Sequence, residues 1–320
     1  MMTSMAYALN GGINRVLLWQ KPDKTERVKF KEVFPFEDQE SKAWTLAVGA
    51  IDLTGDMLPE LYVANDFGPD YLYKNISTPG NVRFKRVNGN RSFLMPKSKT
   101  LGHDSFKGMG VDFSDLNGDG IFDIYVSNIA AEYSLQESHF MFVSQAKGAW
   151  KKHAPFKDNS EKLGLSRGGW GWDTRFGDFD NDGRVEAVQA TGFIKGKVNR
   201  WPELHELAMA NDGVQKLTLF WPKIQVGDDL SGNQANNFFV RAQDNRFYNL
   251  NEEVGLVNPY VTRGIATADT NGDGYLDMVF ANMWEDSVFI ENKSKLKNSF
   301  LGIHLLTYQN SYLNNSKVLE

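Results

Sequence analysis

The residues best placed to do chemistry lie in one nine-residue stretch, Asp115-Leu116-Asn117-Gly118-Asp119-Gly120-Ile121-Phe122-Asp123. It sets side-chain oxygens at positions 1, 3, 5 and 9 (Asp115, Asn117, Asp119, Asp123), with the Ile121 carbonyl as a natural further donor at position 7. Oxygen-only donors on a tightly curled backbone suit Ca²⁺, a hard cation that takes roughly 6–8 oxygens at about 2.3–2.6 Å. The pattern recurs three times. One copy is Asp52, Thr54, Asp56, Leu58 and Glu60; the next is Asp178, Asp180, Asp182, Arg184 and Glu186; the last is Asp269, Asn271, Asp273, Tyr275 and Asp277. Asn-Gly and Asp-Gly are strong turn signals without any metal. A turn alone, however, does not require acids at positions 1, 5 and 9 of every copy, and uncompensated neighbouring carboxylates repel. The sequence therefore predicts up to four calcium sites. The first loop is the least typical, because Met57 stands where the others have glycine. An EF-hand would need a bidentate Glu at position 12 between helices. Position 12 here is Val63, Val126, Gln189 or Phe280, each in a β-rich run.

The elements that must hold these loops are strands. Thr45–Ala50 leads into the first loop and Leu61–Asn65 leaves it; residues 71–75 and 82–87 follow as further strands. The second unit repeats the order with residues 108–113, 123–128, 140–143 and 150–153. Ahead of the first loop, residues 7–10, 13–19 and 28–33 read as strands. The first acids of successive loops are separated by 115 − 52 = 63, 178 − 115 = 63 and 269 − 178 = 91 residues. The excess, 91 − 63 = 28 residues, predicts an insertion at about 195–236, with a helix at Pro202–Met209. Four-stranded units at a fixed period, with no long helices between them, predict an all-β fold, a β-propeller of about five blades with its loops between the first and second strands of each. Residues 1–297 would form the propeller, and residues 298–320 a last strand and the start of a further module.

Composition narrows the function. The 320 residues carry a net charge of −5 with no basic stripe, which argues against nucleic acid as a partner. With no cysteine there is no disulfide framework, Cys-ligated zinc or Cys nucleophile. No run of 18 apolar residues predicts a membrane span, and the first eight residues lack the basic region of a signal peptide. Gly164-Leu165-Ser166-Arg167-Gly168 matches a nucleophile pattern, but that chemistry needs a strand-to-helix elbow. His205-Glu206 opens a zincin-like pattern that Met209 breaks. Trp170 and Trp172 read as blade packing; Trp201, Trp221 and Trp284, in or near turns and the insertion, read as candidates for surface contact.

The loops resemble FG-GAP/VCBS repeats, the calcium-bearing blades of integrin α-type propellers. The stretch Asn65-Asp66-Phe67-Gly68-Pro69-Asp70-Tyr71-Leu72-Tyr73-Lys74-Asn75, the Trp170-Gly171-Trp172 triplet and Phe300-Leu301-Gly302-Ile303-His304-Leu305 are similar to cartilage-acidic-protein relatives with a C-terminal ASPIC/UnbV module. That resemblance implies a seven-bladed ring, of which this chain would be a part, and an ASPIC/UnbV module beginning near Asn298. It also implies an extracellular, cell-surface or periplasmic location. The expected function is non-catalytic binding or adhesion to a protein or polysaccharide at a propeller face, with calcium as the cofactor. A polysaccharide lyase or hydrolase on the same scaffold, and an assembly scaffold, are the alternatives.

Overall fold

The computed structural model describes residues 8–21, 28–36, 40–132, 134–145, 150, 152–210, 212–294 and 298–302. A two-stranded hairpin comes first, β1 (Val16–Gln20) with β2 (Lys29–Val33). Blade one is β3 (Thr45–Ile51), β4 (Glu60–Asn65), β5 (Tyr71–Asn75) and β6 (Phe84–Val87), paired antiparallel in that order. Blade two is β7 (Gly110–Ser114), β8 (Asp123–Ser127), β10 (Phe140–Ser144) and β11 (Phe156–Asp158), with the short β9 (Ile129–Ala130) crossing to the next blade. A helical turn, α1 (Ser160–Leu163), leads to blade three. That blade is β12 (Gly169–Gly177), β13 (Glu186–Thr191), β16 (Asn237–Arg241) and β17 (Phe247–Asn249). Between β13 and β16 lie β14 (Val198–Asn199), α2 (Trp201–Met209, with Pro202 in its first turn), α3 (Asp212–Gln215) and β15 (Asp228–Asp229). Blade four has three strands among the described residues, β18 (Thr262–Ala268), β19 (Asp277–Asn282) and β20 (Val288–Ile290).

This is an all-β propeller arrangement of four blades. Where the sequence predicts about five, the remaining strand-forming sequence makes the hairpin instead. Residues 8–10 are not strand, and residue 150 and residues 152–153 lie outside any strand; the outer strand of blade two is β11, further along. The predicted module at 298–320 falls almost wholly outside the described residues.

The core sits between blades. Tyr62, Ala64 and Leu72 of blade one meet Val111, Ile124, Val126, Phe140 and Phe142 of blade two. On the opposite face of blade two, Tyr125, Met141 and Val143 meet Ala187, Phe239 and Phe247 of blade three. Val188, Ala190 and Phe238 then meet Ile265, Met278 and Phe280 of blade four. Side chains alternate across a strand, so a strand flanked by blades on both sides buries both of its faces, and each polar residue in it needs a hydrogen-bond partner. β8 and β13 are accordingly buried at every position, whereas β19 leaves Val279 and Ala281 exposed. The first strands β3, β7, β12 and β18 neighbour one another in turn. Their approach needs small residues: a methyl group at Gly110 would run into the Trp172 carbonyl. Junctions are tied by Asp112, which accepts from the Phe176 amide at 2.6 Å, and Asp173, which accepts from the Ile265 amide at 2.9 Å.

One junction repeats at both ends of the chain. Asn14 Nδ2 donates to Thr45 Oγ1 at 2.9 Å, and Asn236 Nδ2 donates to Thr262 Oγ1 at 2.8 Å. The hairpin β1–β2 thus stands to blade one as β16–β17 stands to blade four.

Candidate functional site

All four acidic loops join the first and second strands of a blade, and they share one hydrogen-bond scheme. The Asp at position 1 accepts amides from within the loop. Asp115 takes Gly118 N at 2.8 Å and Asp119 N at 3.1 Å on Oδ1, and Gly120 N at 2.7 Å on Oδ2. Asp269 repeats this with Gly272, Asp273 and Gly274, and Asp52 with Gly55, Asp56 and Met57. Asp178 takes Asp182 N and Gly183 N, each at 3.0 Å. The position-5 carboxylate caps the amide two residues on: Asp56 for Leu58, Asp119 for Ile121, Asp182 for Arg184 and Asp273 for Tyr275. Such curling needs positive φ at positions 4 and 6. Gly55, Gly118, Asn181 and Gly272 supply the first; Met57, Gly120, Gly183 and Gly274 supply the second.

The position-9 carboxylate is the buried anchor. Glu60, Asp123, Glu186 and Asp277 accept the position-2 amides of Leu53, Leu116, Phe179 and Thr270 at 2.9–3.1 Å. In three loops the second oxygen accepts an amide at the end of the third strand: Asn75 at 3.3 Å, Ser144 at 2.8 Å and, just past β20, Asn292 at 2.8 Å. Among the described residues Glu186 makes no such third-strand bond, and its carboxylate joins Asp178 and Asp180 with oxygens all within 4.8 Å of one another. Among the described residues, this is the loop that gathers three acids so closely.

The electrostatics follow. Burial, with Asp180, Asp178 and Asp182 adding to it against the Phe179 amide, lifts Glu186 to about 8. Burial lifts Asp123 to about 6 against the Ser144 and Leu116 amides, and raises Glu60 as well. At Asp52 burial pushes up, but the four amides of Met57, Gly55, Thr54 and Asp56 outweigh it and hold the carboxyl below its ordinary value. Asp277 is held low chiefly by the Thr270 hydroxyl, a donor that the other loops lack at position 2. The donor set fits a hard cation in two places. One is the acid cluster of the third loop. The other is Thr54 Oγ1 at position 3 of the first loop, which is buried and has no hydrogen-bond partner. At positions 3 and 7, Asn117 and Asn271 point their Oδ1 atoms to the Asp119 and Asp273 amides at 2.9 Å, and Leu58, Ile121, Arg184 and Tyr275 lie on the loop backbone between the position-5 and position-9 acids.

The second, third and fourth loops are tied to neighbouring blades. Asn181 Nδ2 donates to the Gly274 carbonyl at 2.9 Å, and Arg241 Nη1 donates to the Leu116 carbonyl at 2.6 Å.

Other motifs find structural places. Ser166 is buried between α1 and β12, a helix-to-strand passage opposite to a nucleophile elbow. Trp170 packs against Phe193, and Trp284 is exposed; Trp201, the first residue of α2, is not a surface residue but is buried against Trp170. Sequence reasoning missed three buried polar groups. Asp70 accepts the Tyr62 hydroxyl at 2.8 Å and the Asn65 amide at 2.8 Å, and Asp104 in turn accepts the Asp70 amide; burial pushes both carboxyls up. His139 accepts the Asn128 amide at Nδ1 and meets Gln189 at Nε2, and burial lowers it to about 3. For Asp70 and His139 the signal available in sequence was their place, just before the start of a third strand.

The family described as FG-GAP-like repeat matches residues 52–126, from the first acid of loop one to Val126 on β8. No curated relative matches the chain.

Proposed function

We propose that the chain is a calcium-stabilised propeller that works by binding a protein or polysaccharide rather than by catalysis, in a compartment open to millimolar calcium. The observation that carries the metal reading is the third loop, where Asp178, Asp180 and Glu186 bring three carboxylate oxygens within 4.8 Å. The shared scheme of the other loops extends the reading to all four. Positions 1, 3, 5 and 9 and the position-7 carbonyl would hold the ion. Bound calcium supplies positive charge that offsets carboxylate repulsion and fixes the hairpin. Binding to the native state alone stabilises it by mass action. Dissociation constants of about 10⁻⁴–10⁻³ M are usual for extracellular calcium modules, so such sites fill outside a cell and empty at cytosolic calcium. The resemblance of residues 65–75 to cartilage-acidic-protein relatives supports an extracellular or periplasmic setting and an adhesion-type role.

Thermal unfolding tests the metal. In millimolar CaCl₂ the midpoint should lie several degrees above that in EGTA, with MgCl₂ giving a smaller rise. Asp180→Asn should diminish the calcium response more than Asn117→Ala. Equal midpoints in CaCl₂ and EGTA would remove the calcium reading.

A further inference from the structure

At the rim opposite the acidic loops, the insertion roofs a cavity of about 300 Å³. β12 links the two rims: Trp170 near its start faces the cavity, and Asp178 follows its end. The 178 − 170 = 8 residue steps between them, at about 3.3 Å each, separate them by roughly 26 Å. The volume falls at the small end of the range for ligand sites, roughly 300–1,000 Å³.

The walls are aromatic. Trp170 stacks on Phe193 with centroids 4.2 Å apart and lies 5.4 Å from Trp201; Phe67 and Trp221 complete the enclosure. Two indole N–H groups are already committed, Trp170 Nε1 to Met109 Sδ at 3.2 Å and Trp201 Nε1 to Ser231 Oγ at 2.7 Å. Those two rings therefore offer the cavity π surface rather than donors. The ionisable groups on its lining are Asp66 and Lys107. Lys107 is taken by Glu137, Nζ to Oε1 at 2.7 Å, in a buried pair. Asp66 uses its backbone amide on the Trp44 carbonyl, while its carboxylate has neither an ion pair nor a hydrogen bond among the described residues. Asp66, Lys107 and Glu137 together leave one negative charge without a counter-ion. Burial, opposed by Lys107 and reinforced by Glu137, lifts Asp66 to about 6.

Aromatic faces around a single carboxylate form the chemistry that takes up quaternary ammonium groups. We propose that this cavity binds a small organic cation, a quaternary ammonium head on a short polar or apolar tail, seated between Asp66 and the indole faces. The site is independent of the calcium loops.

Calorimetric titration of the whole chain with choline, and with its neutral isostere 3,3-dimethylbutan-1-ol, tests this. Choline should bind saturably, one per chain, and at least tenfold tighter than the alcohol. Asp66→Asn should weaken choline at least tenfold while leaving the alcohol unchanged, so that the preference for charge disappears. Trp221→Ala, in the half-buried roof, should weaken choline severalfold and keeps the test available if the Asp66 variant fails to fold. No saturable heat with choline, equal binding of the two compounds, or undiminished choline affinity in either folded variant would overturn the proposal.

Discussion

His139 shows how a single buried side chain sets a pH limit. Its folded value, near 3, lies below the ordinary value near 6.5, so the native state holds the ring neutral while the unfolded chain takes up a proton. The stabilisation is complete above about pH 6.5 and is lost as pH falls toward 3, at about 1.4 kcal/mol per pH unit. Asp70 and Asp104 act in the opposite sense: burial raises them, the native state holds their protons, and stability falls as pH rises. Comparing the chain with His139→Asn by urea unfolding at pH 7 and pH 5 isolates the imidazole, and the variant should lose less stability on acidification. The burial of these three groups is not set by local sequence. Each is buried by neighbours from other strands; Asp104, for example, meets Asp70 across 34 residues. The curl of the acidic loops was legible because the carboxylates at positions 1 and 5 bond amides within five residues of them, whereas the position-9 carboxylates reach amides seven to 21 residues away.

An element-scale consequence lies in the first loop. Position 6 of each loop demands positive φ; Met57 adopts φ 65° with its side chain 88% exposed. Left-handed backbone costs a non-glycine residue roughly 1–2 kcal/mol, partly offset by the entropy that glycine loses on folding. Met57→Gly should therefore stabilise by about 1 kcal/mol, seen as a thermal midpoint about 2–4 °C higher. The Met-for-Gly departure marks strain in this loop, not loss of its oxygens, since Thr54 keeps a buried oxygen without a partner. Strand positions were legible from period-2 patterns and turn residues. The outer strand of blade two was misplaced because Trp150 owes its burial to a neighbour, Phe156, 5.8 Å away between ring centroids and on the true strand β11. Aromatic content suggested a strand where the ring only packs on one.

Across the whole molecule, periodicity in the acidic loops carried the propeller architecture, while the blade count needed three dimensions. β1 and β2 look like propeller strands in sequence and stand against blade one as β16–β17 stands against blade four, yet among the described residues they pair only with each other and leave Leu17 and Trp19 exposed. The insertion can be separated from the blades. Ile194 and Leu230 exchange backbone hydrogen bonds at 3.1 and 2.8 Å, and Thr191 N donates to Asn236 Oδ1 at 2.9 Å, so the excursion leaves and returns at one closed neck. Replacing residues 196–228 by a short Gly-containing turn should keep the β-type circular dichroism spectrum and any calcium response. It should abolish choline binding, because the cavity loses Trp201 and its roof. Loss of cooperative unfolding would instead show that α2 belongs to the propeller core.

That neck also says where such a chain can change at little cost. The connection between the second and third blade strands runs 139 − 127 = 12 residues in blade two and 236 − 191 = 45 in blade three. Nearly two doublings of length add only about 1 kcal/mol of closure entropy. A lineage could lengthen, shorten or exchange this segment while every ladder and acidic loop kept its register. New recognition would then arise by grafting at one hinge point, with the propeller inherited unchanged beneath it.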